Sequence, residues 1–227
     1  MSEQSPLSLG TEDIKKLLMR YAVPAIVAMT AASLYNMMDS IFIGHGVGAL
    51  GIAGLAVTFP FINLAAAFGS LVGVGASTLV SVKMGQKDLK SAEAVLGNVL
   101  LLNTVIGFLF MTVCLIFLDP ILYFFGASAD TLPYARDYMK VILYGNLITH
   151  IYMGLNEVMR ASGYPQRAMM ATLFAVLING VLNALFIFVL DMGIKGAAIA
   201  SVLAEASSIL FFLIYTYISV DLKKYGL

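Results

Sequence analysis

Four ionisable side chains interrupt long apolar stretches of this sequence, where a charge is costly: Asp39, His150, Glu157 and Glu205. A charged side chain at the centre of a membrane-spanning helix costs about 2.5–3.5 kcal/mol on insertion scales. Such a residue is retained mainly where it pairs with another group, carries a proton or binds an ion. Each of the four is therefore a candidate functional residue.

Sequence context separates three of these residues. Glu157 lies three positions before Arg160 and so on the same helical face, which favours a structural ion pair at the membrane surface. For His150, a neutral hydrogen-bonded imidazole is favoured over a proton relay. Glu205 has two equally good interpretations: it is a second protonatable site, or it bonds to neighbouring Ser and Asn side chains.

The segments that carry these residues are strongly apolar. The chain is 60% hydrophobic and only 11% charged, with a mean hydropathy of +0.93, which is not the composition of a soluble domain. Nearly uncharged runs of about 18 residues or more predict membrane-spanning helices. We therefore predict an all-α integral membrane protein, with a six-helix bundle over 17–220 between cytoplasmic segments 1–16 and 221–227. Its spans are 21–43, 51–82, 94–118, 138–158, 168–190 and 196–220.

The distribution of positive charge predicts the orientation. Of the 13 lysines and arginines, all except Arg136, Lys140 and Lys195 fall on one side of the six-span arrangement. The positive-inside rule then places both termini in the cytoplasm. We expect the bundle to lie in the cytoplasmic (inner) membrane. The formal net charge is zero, so bulk electrostatics indicates no nucleic-acid partner.

The six spans bring a carboxylate, two amides and a hydroxyl into the outer half of the bilayer. From the helical rise, Asp39 lies roughly 6 Å and Asn183 roughly 10 Å below the outer surface, with Asn179 one turn deeper and Ser201 at roughly 8 Å. Such hard oxygen donors suit Na⁺, and Asp39 could instead carry a proton because burial disfavours a charged carboxylate. On the residues alone, polar contacts that only join the helices remain an open alternative.

Four sequence motifs resemble the multidrug and toxic compound extrusion family. They are LYNMMDSIFIG at 34–44, GLAVTFP at 54–60, RASGYPQRAM at 160–169 and GIKGAAIAS at 193–201. The resemblance extends over about 15–217, and the four motifs together are much more specific than any one of them.

The resemblance implies one six-helix lobe of a twelve-helix transporter, in which alternating access is driven by H⁺ or Na⁺. It also implies a coupling-ion site, for H⁺ or Na⁺, at Asp39, Asn179, Asn183 and Ser201. Pro24 matches a proline that bends the first helix in some members. The implied substrates are small organic cations, and no cofactor other than the coupling ion is implied.

Two features depart from the family pattern. Asn183 replaces an aspartate found in many members, which should weaken Na⁺ binding and slightly favours H⁺. The chain also covers one lobe only, so we expect a truncated form; a homodimer or a separately encoded second lobe are the alternatives.

The predicted function is therefore cation-coupled antiport of organic cations or drugs by an amino-terminal half-transporter in contact with the lipid bilayer. Two alternatives remain: a flippase for lipid-linked oligosaccharides from the same superfamily, and a membrane subunit or fragment without transport activity. A flippase would usually have a more basic cavity to bind phosphate. No enzyme is predicted, because no nucleophile, base and orienting group recur at recognisable spacing.

Overall fold

Helices make up nearly all of residues 13–224, the part of the chain that the computed structural model describes, with side chains described as far as Leu213. Residues 1–12 and 225–227, which belong to the predicted cytoplasmic segments, lie outside the described residues. The helices are α1 (Ile14–Gly46), α2 (Ala49–Gly85), α3 (Leu89–Ile116), α4 (Leu118–Phe124), α5 (Leu132–Ala161), α6 (Pro165–Asn183) and α7 (Gly193–Lys224). Helix α6 continues directly into a π-helical segment, Ala184–Val189.

Helix ends follow ordinary capping chemistry. The Asp88 side chain accepts a hydrogen bond from the backbone N–H of Ser91 at 3.1 Å, which caps the start of α3. Hydrogen bonds from Ser91 also hold the pKa of Asp88 below its usual value. Between α5 and α6, Gly163 has a φ of +88°, and Pro165 then opens α6 where its missing N–H has no partner to lose. The chain therefore reverses between two long helices within a few residues.

The predicted all-α membrane bundle is confirmed, and α5 is its least apolar long helix. Within the described residues, five helical segments are long and apolar enough to cross a bilayer: α1, α2, α3, α6 with its π-helical segment, and α7. The fourth predicted span lies in α5, whose 30 residues extend about 45 Å and so exceed the roughly 30 Å apolar core of a membrane. Helix α5 packs against α2, α3, α6 and α7. Its buried polar side chains, Asn146, His150 and Asn156, therefore contact protein rather than lipid.

The short helix α4 was not predicted. The third predicted span runs to residue 118, whereas α3 ends at Ile116 and Leu118 begins α4. Leu118 and Leu122 bury α4 against the bundle. An ion pair also joins α4 to α5: Arg136 donates from Nε to Asp119 Oδ1 at 2.7 Å, and its Nη2 contacts the other carboxylate oxygen. Because this ion pair involves a residue of α5, the sequence around α4 does not predict it.

Glycines allow α2 and α5 to pack closely. A Cβ on Gly73 would lie 3.1 Å from the Cα of Gly154, and a Cβ on Gly69 would lie 3.0 Å from the His150 ring. Gly75 faces open space, with nothing within 4 Å of the position of its missing Cβ. Close approach of two backbones through small residues is the usual way in which membrane helices associate. Glycines of both helices therefore set how closely α2 and α5 approach each other.

Candidate functional site

The side chains of Asp39, Asn179, Asn183 and Ser201 form a closed ring of hydrogen bonds. Asn183 Nδ2 donates to Asp39 Oδ1 at 2.5 Å and to Asn179 Oδ1 at 3.0 Å. Asn179 Nδ2 donates to Ser201 Oγ at 3.3 Å. The Ser201 hydroxyl shares its one proton between the Ala197 carbonyl at 3.1 Å and Asp39 Oδ2 at 3.3 Å, which closes the ring. Helices α1, α6 and α7 thus bring together the four side chains that the sequence analysis grouped.

Local sequence explains how these helices converge. Asn179 and Asn183 are four residues apart and occupy one face of α6, which packs along α1. Helix α7 is rich in alanine around Ser201, so it approaches its neighbours closely. Four of these alanines, at positions 197, 198, 200 and 204, are completely buried. The π-helical segment begins directly after Asn183, and such segments are frequent at functional sites.

The cluster is buried and contains a single carboxylate. Asp39 is 4% exposed, while Asn179 and Asn183 are completely buried. The hydrogen-bond partners of Asp39 are a neutral amide and a neutral hydroxyl. Asn183 Oδ1 is a buried acceptor without a hydrogen-bond donor. The oxygens of all four side chains are hard donors, so the group fits H⁺ or Na⁺ better than a transition metal.

Asp39 and Glu205 line one cavity of about 100 Å³. Glu205 is half-buried, and Thr149 Oγ1 of α5 donates to its Oε2 at 2.5 Å. Sequence reasoning missed this partner, because only the packing of α5 against α7 reveals it. The aromatic lining was missed as well; Tyr35, four residues before Asp39, could have been found from helical spacing. The aromatic residues of the lining are Tyr35, Phe59 and Tyr138.

Two other predicted residues lie elsewhere. The His150 ring is completely buried in the bundle and lies apart from the Asp39 cluster, so its role as a hydrogen-bonded or protonatable group stays a prediction. The ring packs against Gly69, Gly107 and Phe110. Pro24 is buried within a continuous α1, about 22 Å along the helix from Asp39 by the helical rise.

The predicted ion pair at the end of α5 is confirmed. Glu157 Oε1 lies 3.8 Å from Arg160 Nη1. Arg160 Nε also donates to Asn156 Oδ1 at 3.0 Å, so the arginine is held by two side chains of its own helix. Glu157 therefore has a structural partner and does not line the cavity that Asp39 and Glu205 share.

Long apolar helices packed around buried polar side chains define a multi-pass membrane protein. The model of the MatE family matches residues 24–185, which is more than half of the chain. The chain therefore belongs to this family of transporters.

Individual relatives agree with this assignment. The multidrug export protein MepA of Staphylococcus haemolyticus is 29% identical over 215 residues, which are 95% of this chain and 48% of that protein. Among solved structures, a MOP superfamily transporter from Pyrococcus furiosus matches with a TM-score of 0.87 and 28% identity, over 96% of this chain and 49% of its own. A MATE structure in a bent conformation matches with a TM-score of 0.85 and 29% identity, over 95% and 48%. The chain thus spans about half the length of the relatives it matches.

Proposed function

We propose that this chain is one lobe of a cation-coupled antiporter that exports organic cations or drugs across the cytoplasmic membrane, with both termini in the cytoplasm. Relatives named as multidrug export proteins support the activity. The observation that carries the coupling is a buried carboxylate whose hydrogen-bond partners are neutral side chains on two other helices. Asp39, Asn179, Asn183 and Ser201 then form the coupling-ion site.

H⁺ is the ion that this site favours, with weaker binding of Na⁺. Asp39 is the one acidic residue of the ring, so a single proton neutralises it completely. Na⁺ binding gains from each added negative charge, and Asn183 supplies an amide instead of a second carboxylate. The buried Asn183 Oδ1, which lacks a donor, is the group through which Na⁺ would gain a further oxygen ligand.

Binding of the ion changes the balance between conformations because it removes a buried charge. With Asp39 charged, α6 and α7 hold α1 through two hydrogen bonds to the carboxylate. Protonation from outside weakens both, since a neutral carboxyl is a poorer acceptor than a carboxylate. The ion shifts the free-energy difference between the two conformations by the difference between its binding free energies to them. In the rearrangement, α1 bends at Pro24, where one backbone hydrogen bond is missing; the relative solved in a bent conformation supports this role.

The second lobe is a partner in this proposal, supplied by a longer chain, a second copy or a separate polypeptide. The chain covers about half the length of its relatives, which supports the need for a second lobe. A cavity lined by two carboxylates and, among its described residues, by no lysine or arginine favours a cationic substrate over the phosphate of a lipid-linked sugar.

Ethidium efflux tests the proposal in cells that express this chain alone or with a matching second lobe. The mass of the solubilised complex identifies the active assembly. We expect Asp39→Asn to abolish efflux, whereas the matched control Asp130→Asn, at an exposed site outside the helices, leaves it unchanged. Full efflux by Asp39→Asn would refute the coupling site. Absence of efflux in every combination would instead favour a membrane subunit without transport activity.

A further inference from the structure

A second acidic side chain, Glu205, faces the cavity beside the Asp39 cluster. Glu205 lies four residues after Ser201, so the two occupy one face of α7 about 6 Å apart along the helix. Thr149 Oγ1 donates to one oxygen of Glu205 and so fixes the carboxylate against the cavity wall. Glu205 lies outside the ring of hydrogen bonds that holds Asp39.

The charge of the cavity is unbalanced. Twelve residues line it, and they include two carboxylates but no lysine, arginine or histidine, all of them within the described part of the chain. Asp39 is surrounded by amide and hydroxyl groups, whereas Glu205 has the single Thr149 hydrogen bond. An ionised carboxylate in an apolar membrane interior is stabilised by several hydrogen bonds or by a positive partner, and Glu205 has one hydrogen bond. A cation that enters the cavity would supply the positive partner.

The walls of the cavity suit an organic cation. Tyr35, Phe59 and Tyr138 line it, and aromatic rings attract alkylammonium groups through cation–π interactions. The cavity reaches the surface at Asn36, which is exposed on α1, so a ligand has a path to Glu205. A volume of about 100 Å³ holds a compact charged group, with the rest of an amphipathic molecule left outside.

We propose that Glu205 binds the positively charged nitrogen group of an organic cation, while Asp39 is left to the coupling ion. This assignment rests on the proposed export function and divides its two binding tasks between two residues. It makes Glu205 the residue of this lobe that selects for positive charge in the substrate.

Binding of benzyltrimethylammonium to the purified full chain in maltoside micelles, measured by isothermal titration calorimetry at pH 8, tests the proposal. We expect Glu205→Gln to weaken binding at least about ten-fold, the usual scale for removal of a buried charge partner. Glu205→Asp keeps the charge and should stay within a few-fold of wild type. Glu157→Gln is the matched control, because it removes a carboxylate outside the cavity, and it should bind like wild type.

Three results would overturn the proposal: no binding by the wild-type chain, equal affinity in Glu205→Gln, or an equal loss in Asp39→Asn and Glu205→Gln. A thermal melt of each variant shows whether it is folded. If Glu205→Gln does not fold, Glu205→Asp provides the test. Failure here is distinct from failure of the coupling site, since efflux by Asp39→Asn tests the coupling site independently.

Discussion

Replacing Asn183 by aspartate should convert the polar cluster into a stronger Na⁺ site. Asn183 Nδ2 lies 2.5 Å from Asp39 Oδ1, so a carboxylate at position 183 would share an ion with Asp39. One extra negative charge about 4 Å from Na⁺ contributes about 4 kcal/mol at an effective dielectric constant of 20. Repulsion between the two carboxylates and their desolvation oppose this gain. If about half of it survives, the affinity for Na⁺ rises about 30-fold.

Sodium-dependent thermal stability of the purified chain measures this change. A ligand that binds only the folded state stabilises it in proportion to the logarithm of its concentration over Kd. We therefore expect the melting temperature of Asn183→Asp to rise with NaCl far more than that of wild type, at ionic strength held constant with N-methylglucamine chloride. Asn98→Asp, the same chemical change at an exposed position on α3, should show no such rise.

Equal sodium dependence in Asn183→Asp and wild type would refute the reasoning, because the four oxygen groups would then not act together on a cation. A rise of the same size in N-methylglucamine chloride would refute it as well, since that response would be a general effect of salt. Lower stability of the variant without sodium is expected, because two buried carboxylates lie in contact.

Two further predictions concern the packing of the bundle. Gly73→Ala should lower the free energy of unfolding by about 1–3 kcal/mol, since its Cβ would press on the backbone of Gly154. The control Gly75→Ala should be nearly neutral, because the added Cβ would face open space. Equal melting temperatures for the two variants would contradict this reasoning. Asp119→Asn should lower the melting temperature because it breaks the α4–α5 ion pair. The difference in melting temperature from wild type should shrink in about 1 M NaCl, where screening is strong. A difference that does not depend on salt would contradict the ionic explanation.

Sequence patterns predicted a span in each long helix, including one within α5, but hydropathy is weakest over α5 for a physical reason. Spans that face lipid must be apolar along most of their surface, so hydropathy identifies them. Helix α5 contacts five other helices, and its polar residues are accommodated by protein groups. Asn146 Nδ2 donates to the Gly107 carbonyl at 3.2 Å, and Asn156 Nδ2 donates to the Ala168 carbonyl at 3.2 Å. Hydropathy alone therefore underrates the helix at the centre of the bundle.

For the candidate site, too, the sequence predicted some features and missed others. Depth along regular helices depends only on residue number, which is why Asp39, Asn179, Asn183 and Ser201 could be grouped by their positions in the sequence. Side-chain partners across helices depend on rotation and packing, which residue number does not contain. The Thr149 hydrogen bond to Glu205 and the apolar surroundings of His150 were missed for this reason.

By itself, the sequence determined that this protein is a helical membrane bundle with an acidic residue towards the carboxyl end of its first helix, because the low polarity of lipid restricts composition strongly. Only the tertiary structure decided that α5 occupies the centre, that α1, α6 and α7 close a ring of hydrogen bonds around Asp39, and that Glu205 shares its cavity. These features depend on which faces of the helices meet, and that is set by the combined packing of glycines, alanines and buried polar groups across the whole bundle.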